Sequence, residues 1–103
     1  MTSTTDATGQ ILLILTYTLG EQDRETFERI AGAHAAAADT YPGCIRFDLG
    51  RDVLHPGRYQ LVEQWQNTAD LEAHGESEAF HRTMAALKQC PTLQVKRDRY
   101  EIA

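Results

Sequence analysis

Arg58-Tyr59-Gln60-Leu61-Val62-Glu63-Gln64-Trp65 alternates in the way a half-buried strand does. Successive side chains of a strand point to opposite faces, so Tyr59, Leu61, Glu63 and Trp65 share one face and Gln60, Val62 and Gln64 the other. The first set suits burial, except that a carboxylate lies between a leucine and a tryptophan. His55-Pro56-Gly57, just before, reads as the turn of a hairpin. Its partner strand is entered through Pro42-Gly43 and runs from Cys44 to Arg51, with Ile45, Phe47 and Leu49 expected on one face and Arg46 and Asp48 on the other. After Trp65, Asn67 is expected to cap a helix with Asp70 three residues on, as in a capping box. His74 on that helix then lies above the face that carries Glu63 and Trp65.

Outward from this centre the chain continues in both directions. A first strand, Ile11 to Leu19, ends at Gly20. Asp23 is read as the cap of a helix from about Arg24 to Thr40, in which Phe27, Ile30, Ala31, His34 and Ala38 recur at helical spacing. Tyr41-Pro42-Gly43 stops that helix, because proline cannot continue it and glycine turns the chain. Downstream, Gly75 breaks the second helical region and Ser77 recaps it, so that Phe80, Met84 and Leu87 form an apolar stripe. Pro91 ends that helix, and Thr92 to Ile102 is the last strand. Its apolar positions change parity between Val95 and Tyr100, which predicts a bulge.

The order β-α-β-β-α-β defines an α+β, ferredoxin-like arrangement, with a four-stranded antiparallel sheet and both helical regions on one face. Ile11 to Leu15 is apolar at odd and even positions alike, so the first strand calls for cover on both faces. A second copy supplies that cover, giving a homodimer, a dimeric α+β barrel whose sheets face one another. Arg46, Asp48, Gln60 and Gln64 on the outer face imply a partly wet interface.

The length of 103 residues fits one domain, residues 11–103, preceded by a polar and disordered tail at residues 1–10. Fifteen acidic against ten basic residues give a net charge of −5, with no clustered cations, which argues against a nucleic-acid surface. Lys96-Arg97-Asp98-Arg99, the densest basic run, reads as the solvated part of the last strand. The tail has neither a basic segment nor an apolar core of a signal peptide, and Ile11–Leu15 is too short to span a bilayer. Cys44 and Cys90 match no metal or redox spacing and are read as reduced thiols in a cytoplasmic protein without membrane contact. The four histidines show no metal pattern.

Several of these segments together carry a resemblance. Pro42-Gly43-Cys44-Ile45-Arg46-Phe47-Asp48, Pro56-Gly57 followed by Arg58 to Trp65, Leu71-Glu72-Ala73-His74 and Ser77-Glu78-Ala79-Phe80 resemble the antibiotic biosynthesis monooxygenase domain family. The similarity runs from about Ile11 to Ile102. It implies dimeric α+β barrels, among them cofactor-independent oxygenases of quinols and anthrones, haem-degrading proteins and isomerases. Haem-degrading relatives carry their iron-binding histidine on the second long helix, where this chain has Met84. The tryptophan that they place at the start of that helix falls near His74. Haem degradation is therefore disfavoured, and neither metal nor other cofactor is expected.

Oxygenation without a cofactor needs an electron-rich substrate, because triplet dioxygen reacts with closed-shell molecules only through one-electron steps. An ionised phenol or enol supplies the electron, so a dry aromatic pocket and one base suffice. Glu63 and His74 are the candidate bases. Trp65, Phe47, Tyr59, Phe80, His34 and Tyr17 are the candidate contacts for a small aromatic substrate. Each has a plainer reading. Glu63 can simply hydrogen-bond a helix residue such as His74, Trp65 and Tyr17 can serve as cleft wall, and His34 can be a satisfied core histidine. His55 and His81 are left out, one in a turn and one facing outward. Three functions remain open: a cofactor-free monooxygenase of an aromatic substrate, an isomerase or proton-transfer enzyme on a small carbonyl compound, and a non-catalytic small-molecule binder.

Overall fold

The structure, a computed structural model, describes residues 9–102. The tail expected at residues 1–10 lies outside these, apart from Gly9 and Gln10, the latter already paired in the sheet. The chain forms β1 (Gln10–Thr18), α1 (Glu21–Ala36), a 3₁₀ turn (Ala38–Thr40), β2 (Cys44–Arg51), β3 (Arg58–Trp65), α2 (Thr68–Gly75), α3 (Glu78–Leu87) and β4 (Gln94–Ile102). The strands lie in the order β2-β3-β1-β4, every neighbouring pair antiparallel. This is the ferredoxin-like order expected from the sequence, with α2 and α3 forming the broken second helical region.

Register explains which residues are inside. Ile11, Leu13 and Tyr17 of β1 stand opposite Trp65, Glu63 and Tyr59 of β3. All six are buried, on the face that the helices cover. Phe27 of α1 is fully buried there, its ring 5.0 Å from Tyr17 and 4.8 Å from Tyr59. The opposite face pairs Ile14 with Val62, and Leu12 with both Gln64 and Tyr100, and Tyr100 is half exposed.

The two turns into β2 and β3 need glycine. Gly43 and Gly57 have φ of 78° and 82°, in the left-handed region that L residues avoid. A side chain on Gly43 would overlap Asp70 in the first turn of α2, and one on Gly57 would overlap the Leu19 carbonyl. Asn67 accepts a hydrogen bond from the Asp70 amide at 2.8 Å, and Ser77 from the Phe80 amide at 3.1 Å, so both expected caps are present.

Three local expectations are corrected. Asp23 is not the cap of α1. The helix starts at Glu21 behind Gly20, and the buried Asp23 carboxylate in its first turn instead accepts bonds from the Thr92 amide, at 2.9 Å, and the Thr92 hydroxyl. The Gly20 amide donates to the same hydroxyl at 2.9 Å, which ties the start of α1 to the approach of β4. β4 pairs with β1 without a break from Gln94 to Ile102, so there is no bulge. Its parity changes because Val95 and Tyr100 lie on opposite faces of an edge strand, each about half exposed (51% and 50%). The bulge of this sheet falls in β2, between Cys44 and Arg46, and turns Ile45 outward instead of placing it beside Phe47.

Candidate functional site

Between the sheet and the helices lies a cleft of about 620 Å3. Its floor is Leu13, Leu15, Tyr17, Leu61 and Glu63, α1 contributes His34, α2 Leu71 and His74, and α3 Phe80 and Met84. Arg97 and Arg99 of β4 stand at its open side. A mostly apolar cavity of this size with a few convergent polar groups suits a small organic ligand.

An aromatic cage surrounds His74. Its ring centroid is 4.6 Å from Tyr41, 4.8 Å from Trp65, 5.2 Å from His34 and 5.6 Å from Phe80. Trp65 is fully buried behind it, and Phe47 packs edge-on to both histidines. His74 is only 7% exposed, and its Nε2 has no hydrogen-bond partner among the described residues. Leaving a buried polar atom unpaired costs about 1–3 kcal/mol, and such atoms concentrate where a ligand or water completes the network. Burial, helped by the neighbouring His34 imidazole, pushes His74 down to about 4. Burial also lowers His34. Both rings are therefore neutral at physiological pH.

Glu63 is buried, and its carboxylate accepts a hydrogen bond from Trp65 Nε1 at 2.9 Å. Its partner is thus the tryptophan two residues on and on the same face, not His74. Burial raises the Glu63 pKa, while the Trp65 bond and the Arg97 charge oppose that shift. Tyr17 beside it is raised too, by burial and by the Glu63 charge. A carboxyl group held above its unfolded value contributes most below that value and loses its contribution as pH rises through the folded one. Glu63→Gln, which keeps the acceptor for Trp65, is therefore expected to raise the urea midpoint at pH 8 and leave it unchanged near pH 4. Equal midpoints at both pH values would show that the buried charge carries no penalty.

Of the candidates from sequence, the structure gathers Glu63, His74, His34, Phe80 and Tyr17 around the cleft and sets Trp65 and Phe47 behind its histidines. Tyr59 is elsewhere: its hydroxyl donates to Glu28 on the outer side of α1, and its ring packs on Phe27. Two residues not singled out from the sequence join the site. The Tyr41 and Thr83 hydroxyls each lie 3.0 Å from His34 Nδ1. The apolar stripe of α3 passes over Thr83, and Tyr41 reads as a helix stop; only the fold brings them to one imidazole. Cys44 and Cys90 are free thiols, and no cluster of metal-binding side chains is found among the described residues. No helix among them is long and apolar enough to cross a membrane.

A four-stranded antiparallel sheet with helices on one face, enclosing a cleft of aromatic and imidazole rings, defines a ferredoxin-like α+β protein with an internal cleft. The sequence model of the antibiotic biosynthesis monooxygenase family matches residues 10–86, and the chain belongs to that family. No curated protein matches it. Among solved structures it is similar to PA3566 from Pseudomonas aeruginosa, with 30% identity, a TM-score of 0.82, and 94% of this chain and 97% of that one covered. Rv0793 from Mycobacterium tuberculosis has a TM-score of 0.80 at 18% identity, covering 88% of this chain and 92% of that one. SnoaB, a cofactor-independent oxygenase from Streptomyces nogalater, has a TM-score of 0.75 at 18% identity, with 88% and 90% covered. At 18% identity these last two likenesses speak for the fold.

Proposed function

We propose that the protein is a cofactor-independent monooxygenase that oxidises a small aromatic substrate of the quinol or anthrone type with dioxygen. The observation that carries this reading is the cleft itself: an aromatic cage around a buried imidazole with an unpaired nitrogen, beside a second neutral imidazole and a carboxyl group. Membership of the monooxygenase family supports it. In such a cavity a base removes one proton, and the anion passes one electron to dioxygen. For an anthrone, the ring methylene ends as a carbonyl, and the second oxygen atom leaves as water with the two hydrogens. Glu63, His74 and His34 are the groups able to take the first proton, and they differ in what already holds them.

The test is oxygen consumption by the purified protein with a panel of hydroquinones and anthrones. Uptake above the rate of spontaneous oxidation, with one oxygen atom recovered in product from labelled dioxygen, is the expected result. Hydrogen isotope exchange into substrate without oxygen uptake would instead place the protein among proton-transfer enzymes.

Within the same proposal the active species is a homodimer joined through the sheet face that the helices leave open, where Leu12, Ile14, Val62 and Tyr100 lie side by side. Light scattering behind a sizing column is expected to give twice the 11.6 kDa chain mass. A monodisperse species at the chain mass would remove the dimer.

A further inference from the structure

The hydrogen bonds around His34 bear on where its proton sits. The Tyr41 hydroxyl donates to the His34 carbonyl at 2.7 Å, and the Thr83 hydroxyl donates to the Ala79 carbonyl at 2.9 Å. A hydroxyl has one proton, so with these two bonds to carbonyls made, both oxygens face His34 Nδ1 as acceptors. The His34 carbonyl lies in the last turn of α1, where carbonyls lack intrahelical donors, so turning the Tyr41 proton to Nδ1 would strand it. Nδ1 therefore carries the hydrogen, shared between two oxygens each 3.0 Å away. The opposite nitrogen, Nε2, is left with a lone pair. The fully buried, unpartnered side-chain nitrogens among the described residues are Arg24 Nε and His74 Nε2, so His34 Nε2 is not of that kind, and its residue lines the cleft.

We propose that His34 is the proton acceptor of the cleft, held by Tyr41 and Thr83 as its Nδ1–H tautomer with Nε2 presented to the substrate. The other two candidates are less prepared: no hydrogen bond among the described residues fixes the tautomer of His74, and Glu63 already accepts from Trp65. In the step, the acidic O–H or C–H bond of the substrate breaks and the proton passes to Nε2. The electron pair remains on the substrate as phenolate or enolate. The imidazolium that forms keeps Nδ1–H between two oxygens already oriented as acceptors, which stabilises its charge without rearrangement. The assignment rests on the oxygenase reading for the class of substrate, but the tautomer does not.

Two measurements test it. Long-range 1H–15N correlation spectra of the ligand-free protein at neutral pH are expected to show His34 protonated at Nδ1 and bare at Nε2. The double substitution Tyr41→Phe with Thr83→Val is expected to move the proton to Nε2. A parent protein protonated at Nε2 overturns the proposal. The second measurement follows hydrogen–deuterium exchange at the ring methylene of 1,8-dihydroxyanthrone in deuterated buffer without oxygen. The parent is expected to accelerate exchange. His34→Asn, whose amide N–H can replace Nδ1–H but whose side chain has no base, is expected to lower kcat about a hundredfold with little change in KM. Tyr41→Phe alone should fall between the two, because it releases the tautomer but keeps the ring. Absence of exchange by the parent, or parental exchange by a folded His34→Asn, overturns the assignment. Exchange by the parent with no oxygen uptake in air would end the oxygenase reading and leave His34 as the base.

Discussion

Replacing Phe27 by alanine is expected to lower the free energy of unfolding by about 3–5 kcal/mol. A domain of this size has about 5–15 kcal/mol in all, so the variant should sit near the edge of folding at 37 °C. The ring is completely buried, between Tyr17 on β1 and Tyr59 on β3, and is the contact through which α1 is seated on the sheet. Neither tyrosine can collapse into the void, since β1 and β3 pair with each other residue for residue across the centre of the sheet. Equilibrium urea unfolding measures the loss, and a change below about 1 kcal/mol would mean that the core repacks around the gap. Because α1 also carries His34, any loosening of its seat is expected to appear in the cleft as well.

The second large effect is sensitivity to acid. His74 is neutral in the folded protein until about pH 4, whereas in the unfolded chain it takes up a proton near its ordinary value of 6.5. Between these values the unfolded state binds more protons, so stability falls as the pH drops from 6.5 towards 4 and changes no further on this account below it. At about 1.4 kcal/mol per pH unit, the loss is on the order of 3 kcal/mol. His34 adds in the same direction, since burial lowers it too. Urea midpoints at pH 7 and pH 4.5 are expected to differ strongly in the parent and much less in His74→Phe, which keeps an aromatic ring in the cage. Equal pH dependence in parent and variant would show that the cage admits the charged imidazole.

The parts of the fold that a single strand or turn decides were legible in the sequence. The alternation of Arg58–Trp65 placed Tyr59, Leu61, Glu63 and Trp65 on the buried face, and Asn67 and Ser77 announced two helix starts. What could not be read depended on a neighbour distant in the chain. Asp23 has the composition of a cap, but its carboxylate is claimed by Thr92, which the fold brings beside it. β2 looks regular from Cys44 onwards, yet its pairing with β3 slips at Ile45, and nothing local in Cys44-Ile45-Arg46 marks the slip. The site followed the same pattern. Glu63, His74 and the rings around them follow from strand parity and helical spacing. The pair of hydroxyls that sets the His34 proton comes from Tyr41 and Thr83, 42 residues apart in sequence. Tyr59, placed on the correct face by parity, missed the cleft because Glu28 holds its hydroxyl at the other end of that face.

The two outer strands bear on what this protein avoids becoming. β2 and β4 each leave one row of backbone amides and carbonyls without a neighbouring strand. Such a row is a template on which another chain can extend the sheet sideways. Five of the nine residues of β4 are charged, Lys96, Arg97, Asp98, Arg99 and Glu101, and β2 carries Arg46, Asp48 and Arg51. The slip at Ile45 also bends the free margin of β2 out of the flat line that lateral docking requires. A basic run that reads as ordinary solvated surface thus acts as a guard against ribbon growth and fibre formation, while two of its members, Arg97 and Arg99, also stand at the open side of the cavity that the sheet supports.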